Sequence, residues 1–266
     1  MIRLIAADMD GTLLDSEKRT PKELPEVVRA LNQKGIRFVI ASGRQMASLL
    51  RDMGELADEL TYIAENGAVI VDQGRQLYVD PMDKDVVRRV LEETKNETGM
   101  YPVLCCPDRA VIGADSPEEF RRNVKMYYES TEVVPDLLRS LDVIGGVCKM
   151  AFYDEGDAER HEYPILKRLF ADDMPVILSS YSWVDIMKPG THKGQGMKTL
   201  QRLLGIRPEE CMAFGDYFND VELLESVGES YAMGNALDEV KAVAKYIAPT
   251  NDENGVMRVI KERFSL

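Results

Sequence analysis

The chain has 266 residues, more than the roughly 100 to 200 of a usual single domain, so its length predicts one large domain or two smaller ones. With 45% hydrophobic and 30% charged residues, the composition is globular and excludes a wholly disordered or coiled-coil chain. The 46 Asp and Glu residues exceed the 33 Lys and Arg residues, and the formal net charge of −13 argues against nucleic acid as a partner. Two histidines and four cysteines without CxxC spacing argue against a multi-histidine metal site, a histidine-based triad and a disulfide scaffold.

The apolar segments are short. None approaches the ~20 residues needed to cross a bilayer, and the segment after Met1 resembles a strand with two acids at its end, not a signal peptide. We therefore expect a cytoplasmic protein with buried, reduced cysteines and no membrane partner. The sequence leaves the oligomeric state open between a monomer and a homodimer.

The first part of the chain alternates strands and helices. Predicted strands over 2–9, 36–41 and 62–64 enclose predicted helices over 23–34 and 47–53. The first strand is apolar on both faces, as expected for a central strand of a parallel sheet covered by helices. This alternation is typical of a doubly wound α/β fold.

The pattern changes after Gly67. Asp72-Gln73-Gly74-Arg75 predicts a hairpin turn. Beyond it, the predicted elements are helices over 83–98, 117–129 and 157–170, a hairpin around 107–108 and a strand over 147–153. Such a mixture indicates an α+β insert with an antiparallel sheet.

The strand and helix alternation returns at Lys193 and continues to the final predicted helix from Gly255. We therefore expect an α/β protein: a doubly wound parallel-sheet core formed by residues 1–81 and 188–266, with an inserted α+β domain over residues 82–187. No internal repeat is present.

Acidic residues follow the first predicted strand. Asp8 and Asp10 are two residues apart, so their side chains point to the same side at the strand end, where parallel α/β sheets place their active sites. Paired carboxylates at the end of a buried strand repel each other unless a cation or a proton relieves the repulsion. Gly11 permits a sharp turn, and Thr12 can donate hydrogen bonds within the loop. The alternative is a strand that simply leaves into a polar loop.

A second acidic pair follows the predicted strand that ends at Phe214. Asp216 and Asp220 are four residues apart and can face the same way across one helical turn. Clustered carboxylates suit Mg²⁺, which binds a few carboxylates together with water and a substrate phosphate. The alternative is an Asp that only caps a helix.

Two further segments have phosphate-binding character. Ser42, Gly43 and Arg44 close the second strand with a hydroxyl, an accessible amide and a cation. Lys193 lies in a Gly-rich approach to a helix and can neutralise carboxylates and a phosphate together. The alternative for Arg44 and for Lys193 is a side chain that is simply exposed to solvent and binds no phosphate.

These motifs, in this order, resemble the four motifs of the haloacid dehalogenase superfamily of phosphatases. The motifs are Asp8-Met9-Asp10-Gly11-Thr12, Ser42-Gly43-Arg44, Lys193 at a helix start, and the segment from Gly215 to Asp220. The spacing is similar to the Cof-type branch, in which a cap domain is inserted between the second and third motifs. Glu65-Asn66-Gly67-Ala68 and Val184-Asp185-Ile186 also look like segments of that branch, and the resemblance spans essentially the whole chain.

The resemblance implies a role for each matched position. Asp8 corresponds to the nucleophile and Asp10 to the general acid and base, a role that asks for a raised pKa. Mg²⁺ is implied at the Asp8 carboxylate, the Asp10 carbonyl and Asp216. The implied phosphate ligands are the Met9 and Gly43 amides, Ser42, Lys193 and Asn219, and the implied supporting residues are Asp220, Thr12 and Arg44.

The expected function is a Mg²⁺-dependent phosphomonoester hydrolase that acts on small phosphorylated metabolites, such as sugar phosphates, through an aspartyl-phosphate. Two alternatives stay open: a phosphomutase of the same superfamily, and a signalling domain that is phosphorylated on Asp without turnover. The insert is expected to select the substrate, with Lys149 and Ser180 as candidate contacts.

Overall fold

The computed structural model describes residues 1–97 and 99–266. The strands of these residues are β1 (Leu4–Ala7), β2 (Arg37–Ala41), β3 (Thr61–Ala64), β4 (Val69–Asp72), β5 (Arg75–Val79), β6 (Pro102–Cys105), β7 (Ala110–Gly113), β8 (Thr131–Val134), β9 (Lys149–Tyr153), β10 (Val176–Ser180), β11 (Trp183–Met187), β12 (Cys211–Gly215), β13 (Glu229–Ala232) and β14 (Tyr246–Ile247). The α-helices are α1 (Leu24–Gln33), α2 (Met46–Met53), α3 (Lys84–Thr94), α4 (Glu118–Tyr127), α5 (Leu137–Ile144), α6 (Glu162–Phe170), α7 (Lys193–Leu204), α8 (Val221–Glu225), α9 (Asp238–Val243) and α10 (Gly255–Phe264). Among these helices, none combines the length and the apolar character that crossing a bilayer requires.

The described residues form two compact units. The first unit comprises residues 1–44, 53–78 and 192–266, and the second comprises residues 45–52 and 79–191. The core and insert boundaries expected from the sequence lie nearby, at 81/82 and 187/188. The segment 45–52, which the sequence assigns to the core, groups with the second unit.

The first unit is built on an eight-stranded sheet with the order β14-β13-β12-β1-β2-β3-β4-β5. The strands from β14 to β3 pair in parallel, and β3 and β4 pair in the antiparallel sense. Every residue of β1 is buried, as the apolar sequence on both faces predicts. The predicted parallel-sheet α/β class is therefore confirmed for this unit.

Local sequence explains the first helix and the hairpin. Helix α1 buries Leu24, Val27, Val28 and Leu31, which recur at helical spacing, and it is followed by Gly35 at φ 72°. The turn between β4 and β5 consists of Gln73 and Gly74, both at positive φ (48° and 79°), as a two-residue hairpin turn requires.

The second unit is built on a six-stranded sheet with the order β10-β11-β9-β6-β7-β8. All pairs are antiparallel except β7 and β8. Alternate residues enter different cores: on β6, Leu104 packs in one apolar cluster, and Val103 and Cys105 pack in another. Both faces of the sheet are therefore covered, and the predicted α+β character is confirmed. All four cysteines are free and buried, as predicted.

Three helices of this unit differ from what the sequence predicts. Helix α6 begins at Glu162 and not at 157, because the Asp154 side chain accepts hydrogen bonds from the amides of Gly156 and Asp157 and holds that segment as a turn. Helix α3 ends at Thr94, and Thr98, the predicted end, lies outside the described residues. Helix α5 was not predicted, although Asp136 caps its start by accepting a hydrogen bond from the Arg139 amide at 3.0 Å.

Candidate active site

The ends of three neighbouring strands bring the predicted motifs together. In the sheet register, Ala7 of β1 lies opposite Ile40 of β2 and opposite Phe214 of β12. Asp8 and the segments beginning at Ser42 and Asp216 therefore leave the sheet at the same edge. This is the carboxyl edge of the parallel strands, where α/β proteins place ligand sites.

Lys193 lies at the centre of the site and is fully buried at the start of α7. Its Nζ donates to Asp8 Oδ1 at 2.5 Å and to Asp220 Oδ1 at 2.6 Å. Burial alone would lower the pKa of Lys193, but the Asp220 and Asp8 carboxylates raise it above its ordinary value. Lys193 is therefore a fixed cation between two acids.

One lysine does not neutralise the surrounding acids. Burial raises the pKa of Asp8 to about 8 against the opposing effect of Lys193, and the Asp220 and Asp216 charges add to the rise. Burial likewise raises the pKa of Asp216 to about 6. Oxygen atoms of Asp8, Asp216 and Asp220 lie within 4.8 Å of one another. The site thus has a local excess of negative charge that a divalent cation would relieve.

Hydrogen bonds determine which of these oxygens are available to a cation. Both Asp220 oxygens are engaged: Oδ1 accepts from Lys193, and Oδ2 accepts from the amides of Asp216 (3.0 Å) and Tyr217 (3.2 Å). Asp216 Oδ1 accepts from Thr12 Oγ1 at 2.8 Å. Oδ2 of Asp8 and Oδ2 of Asp216 accept no hydrogen bond from a described residue. Two hard carboxylate oxygens are therefore presented for a divalent cation, and Asp220 holds Lys193 and the loop in place.

Gly11 brings the loop after β1 close to Asp216. Its φ of 81° is in the left-handed region, and a Cβ at this position would lie 2.3 Å from Asp216 Oδ2. The residue is therefore required for two reasons, its backbone conformation and its lack of a side chain next to a candidate metal ligand.

We expect Gly11→Ala to lower the free energy of unfolding by more than Gly35→Ala does. Gly35 has a similar φ (72°) but no atom within 4 Å of its would-be Cβ, so its substitution measures the backbone strain alone, about 1–2 kcal/mol. The Gly11 variant should lose at least about 1 kcal/mol more, because the new methyl group displaces Asp216. Urea denaturation of the two variants measures the difference; equal losses would contradict the assigned contact.

Asp10 is half-exposed and ion-paired. Arg44 donates to it through Nε (2.9 Å) and Nη2 (2.7 Å), and Lys18 Nζ donates at 2.7 Å. Although burial opposes them, the hydrogen bonds from Arg44 and Lys18 lower the pKa of Asp10 below its ordinary value. In this conformation Asp10 therefore lacks the raised pKa that its implied role as a general acid asks for. Lys18 was missed as a site residue, because an exposed lysine in a loop carries no sequence signal.

The predicted phosphate ligands occupy different surroundings. Ser42 is buried, and its Oγ accepts from the Arg44 amide at 3.2 Å. A Cβ at Gly43 would lie 2.9 Å from Asn66 Oδ1, so the glycine allows this close approach. Met9 is buried, whereas the Asn219 side chain is exposed and forms no hydrogen bond with a described residue. Among the described residues, no hydrogen bond therefore links the Asn219 side chain to the other predicted site residues.

Close backbone packing places Lys193. A Cβ at Gly67, which has φ 108°, would lie 2.5 Å from the His192 carbonyl oxygen, and a Cβ at Gly196 would lie 2.9 Å from the Gly67 Cα. His192 caps α7, because its Nδ1 accepts a hydrogen bond from the Gln195 amide at 3.3 Å. The Glu65-Asn66-Gly67-Ala68 segment thus supports the turn that carries the buried lysine.

Comparison with known proteins supports a common fold and family. A family model described as haloacid dehalogenase-like hydrolase matches residues 5–260. A 5-amino-6-(5-phospho-D-ribitylamino)uracil phosphatase of Escherichia coli (strain K12) is 32% identical over 260 residues, which cover 97% of this chain and 95% of that protein. An HMP-PP phosphatase of Serratia proteamaculans (strain 568) is 32% identical over 247 residues, which cover 91% of this chain and 88% of that protein. The structure of a haloacid dehalogenase-like hydrolase from Bacteroides thetaiotaomicron superposes with a TM-score of 0.84 at 26% identity, covering 99% of this chain and 100% of that one. These matches extend over both units and confirm the predicted fold class.

Proposed function

Because the chain belongs to the haloacid dehalogenase-like hydrolases, we propose that it is a Mg²⁺-dependent phosphatase that hydrolyses small phosphomonoesters through an aspartyl-phosphate on Asp8. The observation that carries the proposal is the buried contact of Lys193 with Asp8 and Asp220, next to Asp216, at the carboxyl edge of the sheet. The names of the relatives, both phosphatases of small phosphorylated compounds, support the substrate class.

In this proposal Asp8 attacks the phosphorus atom, the bond to the leaving oxygen breaks, and the phosphoryl group is transferred to the Asp8 carboxylate. Lys193, fixed by Asp220, offsets the charge of Asp8 and of the phosphoryl oxygens. Ser42, the amides of Met9 and Gly43, and Asn219 are the proposed phosphate ligands. Mg²⁺, held by the Asp8 and Asp216 carboxylates and the Asp10 carbonyl, would supply positive charge that neutralises the transferring group.

Asp10 is the proposed source of the proton for the leaving oxygen and the acceptor of a proton from the water that hydrolyses the aspartyl-phosphate. The ion pairs with Arg44 and Lys18 favour the ionised form of Asp10. Proton donation therefore requires these ion pairs to weaken or break. The two cations set the pH at which Asp10 is competent as an acid.

We expect Lys18→Met to move the basic limb of the kcat/KM pH profile to higher pH. Loss of this cation raises the pKa of Asp10, and an acid that must be protonated then stays active to a higher pH. The shift should be less than about one unit, because the ion pair is exposed. Lys22→Met, which removes an exposed lysine of the same segment, is the control and should leave the limb in place. A limb that does not move in the Lys18 variant would exclude Asp10 as the titrating acid.

The function is tested by measuring inorganic phosphate released from a panel of phosphorylated metabolites, including sugar and ribityl phosphates, with Mg²⁺ and with a chelator. Multiple turnovers with Mg²⁺ that stop on chelation are the expected result. Turnover that requires an added sugar bisphosphate and releases little phosphate would indicate a phosphomutase. A single stoichiometric phosphorylation without release would indicate a signalling domain.

We also propose that residues 82–187 form the substrate-selecting cap implied by the sequence. Of the two candidate contacts, Ser180 is exposed, but Lys149 is buried and its Nζ donates to Asp185 at 3.2 Å within the second unit. Exchange of residues 82–187 with those of a related phosphatase should change the order of preferred substrates. An unchanged order would contradict this role.

A further inference from the structure

Three side chains of the second unit meet near the start of α6, outside the proposed active site. They are Asp154, His161 and Glu162, and one nitrogen or oxygen ligand atom from each lies within 4.8 Å of the others. His161 is one of only two histidines in the chain. The proposed phosphatase reaction uses none of the three residues.

Asp154 is the fixed member of this group. Its Oδ1 accepts hydrogen bonds from the Gly156 and Asp157 amides, which orient the carboxylate. Its Oδ2 lies 2.6 Å from His161 Nδ1. The His161 side chain is 61% exposed, so one side of the group is open to water. Backbone amides that orient a carboxylate are a common support for a metal ligand.

The buried carboxylate of Glu162 is a second observation, independent of the clustering, that points to a ligand. Glu162 is only 8% exposed, and its Oε2 atom is buried without a hydrogen-bond donor among the residues that the structure describes. Its carboxyl group lies beside that of Asp154, since one carboxylate oxygen of each residue lies within 4.8 Å of the other. The nearby Arg160 is turned to Asp157, at 3.2 Å. Two acids held this close together are costly unless a proton or a cation lies between them.

We propose that Asp154, His161 and Glu162 bind one divalent transition-metal ion and that Zn²⁺ fits the site best. Mg²⁺ and Ca²⁺ take oxygen ligands, whereas an imidazole nitrogen with two carboxylates is a ligand set for Zn²⁺. Zn²⁺ accepts three protein ligands and completes its coordination with water, which the exposed side of His161 admits. Zn²⁺ binds the deprotonated forms of these ligand groups, so any proton that they carry is released to solvent on binding.

The test measures Zn²⁺ binding to the full chelator-treated chain by competition with a chromophoric chelator, with Mg²⁺ in excess. The chain carries Asp216→Asn, which removes a ligand of the proposed active-site cation, so that the two sites are distinguished. We expect one Zn²⁺ per chain. Adding His161→Ala or Glu162→Gln should weaken binding at least about 10-fold, because even the loss of groups that only support a ligand costs about 10–100-fold.

Glu155→Gln is the matched control, since it removes an exposed acid next to Asp154 that is not part of the group. It should leave the affinity unchanged. Glu162→Gln also tests the fold, because the amide of the new side chain can donate a hydrogen bond to Asp154. The melting temperature of this variant without metal should not fall, and the rise induced by Zn²⁺ should be smaller than in the parent chain. Three results would overturn the proposal. They are a Zn²⁺ affinity of the His161 or Glu162 variant equal to that of the parent Asp216→Asn chain, a loss of affinity in the Glu155 control as large as in those variants, and no Zn²⁺ bound by the parent chain.

Discussion

Replacement of Asp8 by Asn is expected to lower kcat by on the order of 10⁴-fold or more, because the amide cannot accept the phosphoryl group. The fold should persist. The Asn side chain keeps an oxygen that can accept the hydrogen bond from Lys193. It also removes a negative charge that the carboxylates of Asp220 and Asp216 repel. Phosphate release at saturating substrate measures the first effect, and the thermal unfolding midpoint without metal, which should not fall, measures the second.

Asp58→Asn, the same substitution at an exposed position of the first unit, is the control and should keep full activity. Labelled phosphate from substrate should attach to the wild-type chain in a form cleaved by hydroxylamine, as an acyl phosphate is, and should not attach to the Asp8 variant. Activity of the Asp8 variant close to that of the control would refute the assignment of the nucleophile.

Replacement of Lys193 by Met is expected to lower the free energy of unfolding by about 3–5 kcal/mol without metal, because two buried carboxylates lose the cation between them. The loss should be larger at pH 8 than at pH 5, since without Lys193 the acids take up protons more readily and acid pH relieves their repulsion. The rate with Mg²⁺ should fall on the order of 10²–10³-fold, as for loss of one stabilising donor. Urea denaturation at the two pH values and steady-state kinetics measure these effects.

Lys198→Met is the matched control, because Lys198 is exposed on the same helix; its effect on stability should stay within about 0.5 kcal/mol. Adding Asp8→Asn to the Lys193 variant should recover part of the lost stability, because only one buried acid then remains beside the apolar side chain. No recovery, or a loss that does not depend on pH, would show that Lys193 acts through packing and not through its charge.

The sequence predicts well the parts of the site that strand geometry determines. Asp8, Ser42 and Asp216 follow buried apolar strands, and parallel pairing necessarily brings such ends to one edge. The ion pairs of Asp10 were not predictable. Lys18 is eight residues away in a loop with positive φ at Lys18 itself, and no periodic pattern indicates where its side chain ends.

In the second unit, too, some elements were predicted from the sequence and others were not. The hairpin around 107–108 and the strand over 147–153 were predicted from apolar runs and turns and correspond to β6, β7 and β9, whereas β8 and β10 were not predicted. Helix α5 has only eight residues, and its signal is confined to the Asp136 cap and the spacing of Leu137, Leu141 and Ile144. The delayed start of α6 depends on hydrogen bonds from the Gly156 and Asp157 amides to one side chain. Helical periodicity in the sequence does not reveal that a side chain competes with a helix for these backbone amides.

The position of β1 between β2 and β12 also has a consequence for how the chain folds. Synthesis from the amino terminus produces β1 to β5 early, but the other edge of β1 is paired only when β12 has been made, more than 200 residues after Leu4. During that interval an entirely apolar strand has an unpaired edge, which is a template for association with other chains. Refolding of the first unit should therefore be slow, limited by closure of this long connection, and most prone to aggregation in chains that stop before Cys211.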